Sequence, residues 1–285
     1  TPLYSSAASD VYKRQPKVSP NIAAWLLYLQ ATIDKYDRIP TLERLFNNPK
    51  ATMPVQIKVA FELAKHYASL DASQAERYLL FLQEHSDEIS VDEQATFWRE
   101  LASIALRRDT KVLFLQQAVA ASGTSWDKAD SLQKLGIEYR KQDDYVRGQE
   151  ALEQSLNLWL ETKAGEKIGE TYIALGDLCR LKGEIQQARE WYEQSGVTLR
   201  QAEAEYRLNA RQTDYINSLI GMSMAAVARC RIATGERTVA IKELERAIKL
   251  HQDYLTASRH PLGWELRLLG QLYDAGGEPE RAKSY

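Results

Sequence analysis

Apolar positions in this chain recur at spacings of three and four, and the intervening positions are polar. Around Leu175-Gly176, the residues Tyr172, Leu175, Leu178 and Cys179 fall on one side of a helix. Ile185, Ala188 and Tyr192 then fall on one side of the next. Small residues mark the middle of each first helix: Ala64, Ala102, Gly136, Gly176, Ala228 and Gly270. Seven residues after each marker comes a turn residue: Asp71, Asp109, Asp143, Gly183, Gly235 and Gly277. The pattern predicts a first helix that presents a small residue to its mate and ends at Gly or Asp. A second helix then returns with alanine where the two backbones approach. Runs of β-branched residues with period two are absent, so almost no strand is expected.

The offsets repeat along the chain. Leu175-Gly176 leads to Gly183, Ala188 and Tyr192; Leu135-Gly136 leads to Tyr139, Asp143, Gly148 and Leu152; Leu269-Gly270 leads to Tyr273, Gly277 and Ala282. A recurrence every 34 to 52 residues is the mark of stacked helical hairpins. Tyr172, Leu175, Gly176, Cys179, Gly183, Ala188, Tyr192 and Ser195 resemble the tetratricopeptide-repeat signature, as do Met224, Val227, Ala228, Gly235, Ala240, Leu244 and Ala247. The resemblance is strong over 129–285 and weak over 54–123. Gly148 stands where alanine is expected, Ala75 falls one residue early, and Phe114 replaces an alanine. The resemblance implies an all-α, right-handed αα-hairpin solenoid of about six hairpin units.

Two features break the regularity. The step from Gly176 to Ala228 is 52 residues, which predicts an extended second helix over 184–209 and a long first helix from about Thr213. Residues 21–48 predict a separate helical hairpin with its turn at Ile39-Pro40. Asn47-Asn48-Pro49 predicts a loop before Pro54 opens the next helix. The chain therefore divides into a leader over 1–15, an N-terminal hairpin and loop over 16–53, degenerate helical repeats over 54–128 and tetratricopeptide-like repeats over 129–285. Residues 5–15 resemble the translation of a sequencing-library adapter, so the leader is set aside from the fold. The last repeat stops before its closing aromatic, so the sequence reads as a piece of a longer protein.

Composition removes several function classes. With 37 basic and 39 acidic residues, net charge supplies no steering toward nucleic acid or membrane. No apolar run approaches the roughly 20 residues that span a bilayer. Two cysteines in separate helical patterns, Cys179 and Cys230, are no disulfide framework, which favours a cytoplasmic setting. Only 14 glycines and 8 prolines interrupt a mixture otherwise suited to helix.

No phosphate-binding loop, zinc-protease helix or nucleophile elbow appears, so neither catalysis nor a cofactor is expected. Val239-Ala-Ile-Lys242 imitates the lysine strand of a protein kinase, but the other kinase motifs are missing and Ala240 fits a repeat packing position. His66, His85, His251 and His260 have no metal-ligand spacing and are expected on the surface or in a groove. Asp143-Asp144 is expected at a hairpin turn, and Cys179 in the core.

Solenoids of this kind bind on the inner surface lined by first helices. Positions three before, one after and four after each marker share that side of a helix. They are Arg99 and Ser103; Gln133, Ile137 and Arg140; Ile173, Asp177 and Arg180; Ala225, Arg229 and Ile232; Arg267, Gln271 and Asp274. Each unit contributes one arginine, whose planar fork suits carboxylates and peptide carbonyls. The expected partner is a protein or peptide with acidic character. The bland alternative is a solvated helix face whose arginines pair with neighbouring acids. Two other readings remain open: the regulatory or sensor arm of a larger signalling ATPase or transcription regulator, and a self-associating spacer using Trp159, Trp191 and Tyr192 at exposed ends.

Overall fold

The structure, a computed structural model, describes residues 25, 28, 29, 38–205, 210–254 and 262–285. The adapter-like leader and most of the expected 21–48 hairpin lie outside the described residues. No strand occurs among the described residues. The chain divides into two compact units, Thr1–Phe114 and Leu115–Tyr285.

In the first unit, α1 spans Arg38–Phe46, α2 Met53–Tyr67, α3 Ala72–Glu84 and α4 Val91–Ile104. Ile39-Pro40, expected as a turn, lies within α1, and the residues just before Arg38 lie outside the described residues. Pro54 opens α2, in the first turn where the missing proline N–H removes no helical bond. Asp71 caps α3, its Oδ1 accepting from the backbone N–H of Ser73 at 3.0 Å and of Gln74 at 3.1 Å. Ala64 and Ala75 are fully buried in this pair, with Leu63, Tyr78 and Leu82 beside them. The next helix, α5 (Arg108–Ala120), starts one residue before Asp109, so Asp109 lies in a first helical turn and not in the expected connection. The connection is 105–107, and there the hairpin is held by the rings of Trp98 and Phe114 at 5.7 Å. A phenylalanine in the alanine slot replaces backbone approach with ring packing, which is why the early repeat departs from the ladder.

The second unit follows the ladder closely. Its helices are α6 Ser125–Lys141, α7 Tyr145–Thr162, α8 Gly165–Leu181, α9 Ile185–Glu205, α10 Ala210–Ala233, α11 Arg237–Asp253, α12 Leu262–Asp274 and α13 Pro279–Ala282. They pair as α6/α7, α8/α9, α10/α11 and α12/α13, and α8 also touches the first helices on either side, α6 and α10. The 52-residue step is absorbed by the lengths of α9 and α10.

All four turns repeat one geometry. Asp143 (φ 60), Gly183 (φ 82), Gly235 (φ 84) and Gly277 (φ 78) adopt the left-handed conformation. The following N–H reaches back five residues: Asp144 to the Tyr139 carbonyl at 3.0 Å, Glu184 to Cys179 at 2.8 Å, Glu236 to Arg231 at 2.8 Å and Glu278 to Tyr273 at 2.9 Å. This satisfies a carbonyl that the helix end would orphan. Asp143 carries the added cost of a Cβ there, and its neighbour Asp144 caps α7 by accepting from the Arg147 N–H at 3.1 Å.

Between mates the markers set the distance. A Cβ on Gly176 would stand 2.6 Å from Cε1 of Tyr192, whose side chain is fully buried. Gly148 stands in the alanine slot where the backbones of α6 and α7 approach: a Cβ there would lie 3.3 Å from the Gly136 carbonyl and 3.1 Å from Cδ1 of Leu178 on α8. Five residues before the markers runs a row of buried polar side chains, Ser131, Thr171, Ser223 and Glu265. The first two hydroxyls return to the carbonyls of Asp127 and Lys167, each at 2.7 Å, and Ser223 donates to Ser195 at 2.9 Å. Glu265 ends that row with a carboxylate.

Trp159 and Tyr192 are fully buried and Trp191 stacks on Tyr172 at 5.4 Å, which removes the spacer reading based on exposed aromatic ends. Cys179 and Cys230 are free and buried, and burial together with Glu184 pushes the Cys179 thiol up to about 11. Val239–Lys242 lies within α11, a helix and not a kinase strand.

Candidate binding face

The chosen positions line the first helices of the second unit, and neighbouring helices bring several of them together. Gln133 on α6 is buried, and its Nε2 donates to Glu170 Oε2 of α8 at 3.3 Å. Arg140 on α6 reaches Asp177 on α8, donating to Oδ2 at 2.5 Å. The other oxygen of Asp177 accepts from the Tyr192 hydroxyl at 2.7 Å and lies 3.8 Å from Arg180. Asp177 thus joins the first helix of one repeat, the second helix of its own, and Arg180 one turn on. Burial and the Asp177 carboxylate push the Tyr192 phenol far up, so its proton stays in place.

The other side chains at these positions contribute spacing. Ile137 and Ile232 are half-buried, and Ile173 and Ala225 are buried. In the first unit, Arg99 is half-buried and donates to Thr96 Oγ1 at 2.8 Å, and Ser103 bonds the Glu100 carbonyl at 2.7 Å.

Toward α12 the chemistry changes. Arg229 on α10 lies with its guanidinium carbon 4.6 Å from the ring centre of Trp264 on α12. Its Nε is buried with no hydrogen-bond partner among the described residues, as is that of Arg180. Arg267, Gln271 and Asp274 on α12 are exposed. Among the described residues no carboxylate pairs with Arg229 or Arg267. The arginine row is therefore two things: Arg140 is consumed by a structural bridge, Arg180 is shared, and Arg229 and Arg267 remain available.

Sequence reasoning missed Glu170. Its carboxylate collects Gln133, Lys167 Nζ at 2.9 and 3.0 Å, and the Tyr215 hydroxyl of α10 at 2.7 Å. Burial alone would lower Lys167, yet Glu170 and its neighbours hold it above its ordinary value, and burial with Glu170 raises Tyr215. The signal was one helical turn away: Glu170 lies six residues before the marker, on the same stripe as Ile173 and Asp177. Trp264 was missed for the same reason.

No group of three His, Cys, Asp or Glu side chains among the described residues is placed to hold a metal ion, and no described helix is long and apolar enough to cross a membrane. His251 departs from the expected surface position, since only 4% of it is exposed.

A model of the tetratricopeptide repeat family matches residues 127–195. No curated protein matches the sequence. Among solved structures, a signal transduction ATPase with numerous domains from Pyrococcus horikoshii, with a tetratricopeptide repeat sensor, superposes with a TM-score of 0.65 at 16% identity. That match covers 91% of this chain and 40% of the ATPase, so the chain spans less than half the length of that protein. BtubC from P. vanneervenii matches with a TM-score of 0.58 at 16% identity, over 84% of this chain and 92% of its own. A Rap protein complexed with competence and sporulation factor matches with a TM-score of 0.58 at 11% identity, over 92% of this chain and 72% of its own. At these identities what is shared is the fold. With the ladder of markers, left-handed turns and second-helix alanines, the family match makes residues 127–195 tetratricopeptide repeats within a helical-hairpin repeat chain.

Proposed function

We propose that this chain is a protein-interaction module and that its second unit takes an acidic peptide or acidic partner segment across its first-helix face. The carrying observation is that Arg229 and Arg267, on successive first helices, have no carboxylate partner among the described residues, while Arg140 is bridged to Asp177. A guanidinium resting on an indole ring keeps its N–H fork directed outward at little cost in side-chain entropy. Arg180 supplies a third contact and Gln271 a neutral one for peptide carbonyls. The fold supports the reading, since repeats of this kind present their inner faces to ligands. A labelled peptide alternating Glu and Leu, titrated into the chain beside its Gln counterpart, tests it. Binding of the Glu peptide alone, weakened by salt, is expected. Equal binding of both peptides, or of neither, contradicts it.

A second reading is that the module is the sensor arm of a longer signalling protein. The fold shared with an ATPase that carries a tetratricopeptide repeat sensor favours it. The full reading frame tests it: an adjoining phosphate-binding loop or DNA-binding helical motif supports a sensor arm, and a frame with neither removes it.

A further inference from the structure

The first unit has a cleft that the first-helix reading does not use. It lies between α3 and α5, encloses about 330 Å³ and is lined mainly by apolar side chains. Its floor includes Leu79 and Phe114, both buried. At its mouth stand Leu80, Leu106 and Leu113, exposed by 53%, 47% and 43%. Single exposed leucines are ordinary, but three converging on one cleft keep apolar surface in water that a partner would cover. On α3 the lining residues Ala72, Glu76, Leu80 and Gln83 form one stripe about 16 Å long at 1.5 Å per residue, the length of three helical turns.

The charges at this cleft are few and specific. Glu76 comes from α3 and Arg107 from the residue before α5. Among the described residues neither forms an ion pair. One wall therefore offers an unspent carboxylate and the other an unspent guanidinium, with leucines between.

We propose that this cleft docks an amphipathic helix of a partner protein. That helix would insert aliphatic side chains at three- and four-residue spacing between Leu80 and Leu113, with a basic residue toward Glu76 and an acidic one toward Arg107. Burial of the leucines supplies the affinity, and the two rim charges fix which way the helix lies. The surface is formed by second helices and is independent of Arg229 and Arg267, so either site can fail without the other.

The test is selection of displayed helical peptides, randomised at anchor and flanking positions, on the full chain. The expected winners carry two or more aliphatic anchors at that spacing, with Lys or Arg on one flank and Asp or Glu on the other. Leu113→Asp weakens them at least about tenfold, as loss of a central anchor does. Its helical circular dichroism stays native, because Leu113 is already 43% exposed. Glu76→Lys selects winners with an acidic residue on the flank that was basic. Winners without the anchor spacing, or bound equally by Leu113→Asp, overturn the proposal. So does a flank preference that ignores Glu76→Lys. Sedimentation of the chain alone covers the remaining occupant: a dimer abolished by Leu113→Asp would assign the cleft to a second copy and overturn it too.

Discussion

His251 Nδ1 stands 2.8 Å from Glu265 Oε2, with both side chains buried where α10, α11 and α12 meet. The other ring nitrogen, Nε2, lies 3.1 Å from the Ser218 carbonyl of α10. Acceptors on both sides favour the imidazolium, since a neutral ring has only one N–H to give. In earlier repeats the equivalent positions are apolar, Trp159 and Leu199, and the Glu265 position holds Ser131, Thr171 or Ser223. A Cβ on Gly221 would sit 2.4 Å from Nε2, so the ring fits only over a glycine.

Stability should therefore depend on pH in a defined direction. Burial lowers His251, but the Glu265 carboxylate and the Ser218 carbonyl outweigh it and raise the group above 6.5. Among the described residues, Glu265 from α12 and the Ser218 carbonyl from α10 raise it. A raised histidine stabilises fully below its unfolded value and loses that contribution as pH rises through its folded value. Melting of the native chain, compared with the double variant His251→Leu/Glu265→Ser, should give a difference that changes between pH 6.5 and alkaline buffer. Parallel curves remove the pair as a pH-dependent element. The single variant His251→Leu strands a buried carboxylate and should cost about 3–5 kcal/mol, more than the double variant.

Gly176→Ala and Gly183→Ala test two different demands. The first forces a methyl to within 2.6 Å of the buried Tyr192 ring and should cost about 1–3 kcal/mol by urea unfolding. The second meets open space but sits at φ 82, so strain of about 1–2 kcal/mol is expected. A neutral Gly176→Ala would mean that the hairpin is not set by that approach.

Asp177→Ala removes the acceptor of both Arg140 and the buried Tyr192 hydroxyl. Leaving a buried hydroxyl unpaired should lower stability by about 1–3 kcal/mol, and Tyr192→Phe in that background should recover part of it. No recovery would mean that the bond at 2.7 Å contributes nothing.

Cys179, buried and with its thiol raised to about 11, should react slowly with thiol reagents at neutral pH until the chain is unfolded. Modification of the folded chain at the rate of the unfolded one would contradict its placement.

Hairpins of the second unit were legible because their determinants are local. A small marker, a left-handed turn seven residues on and a returning alanine are each readable from neighbouring residues. Asp109 misled because Phe114 opens its hairpin, and ring packing moves the connection to 105–107 without altering the apolar period. Chemistry across repeats was less legible. Whether an arginine is free depends on an acid about 37 residues away, as for Arg140 and Asp177, and on which rotamer reaches it. His251 escaped because a histidine at an apolar register reads as a surface residue until Gly221 and Glu265 are seen around it.

The most direct measurement is fluorescence anisotropy of one labelled acidic peptide against three forms of the full chain: native, Arg229→Ala/Arg267→Ala, and Arg140→Ala. The double variant should bind at least about tenfold more weakly, from the loss of two charge-assisted contacts, and lose only the roughly 0.5–1 kcal/mol of stability carried by the Arg229–Trp264 contact. Arg140→Ala should lose stability and keep most of the affinity, because its guanidinium is spent on Asp177. Undiminished binding by the double variant, with loss in Arg140→Ala instead, would contradict the assignment of Arg229 and Arg267 as the contact residues.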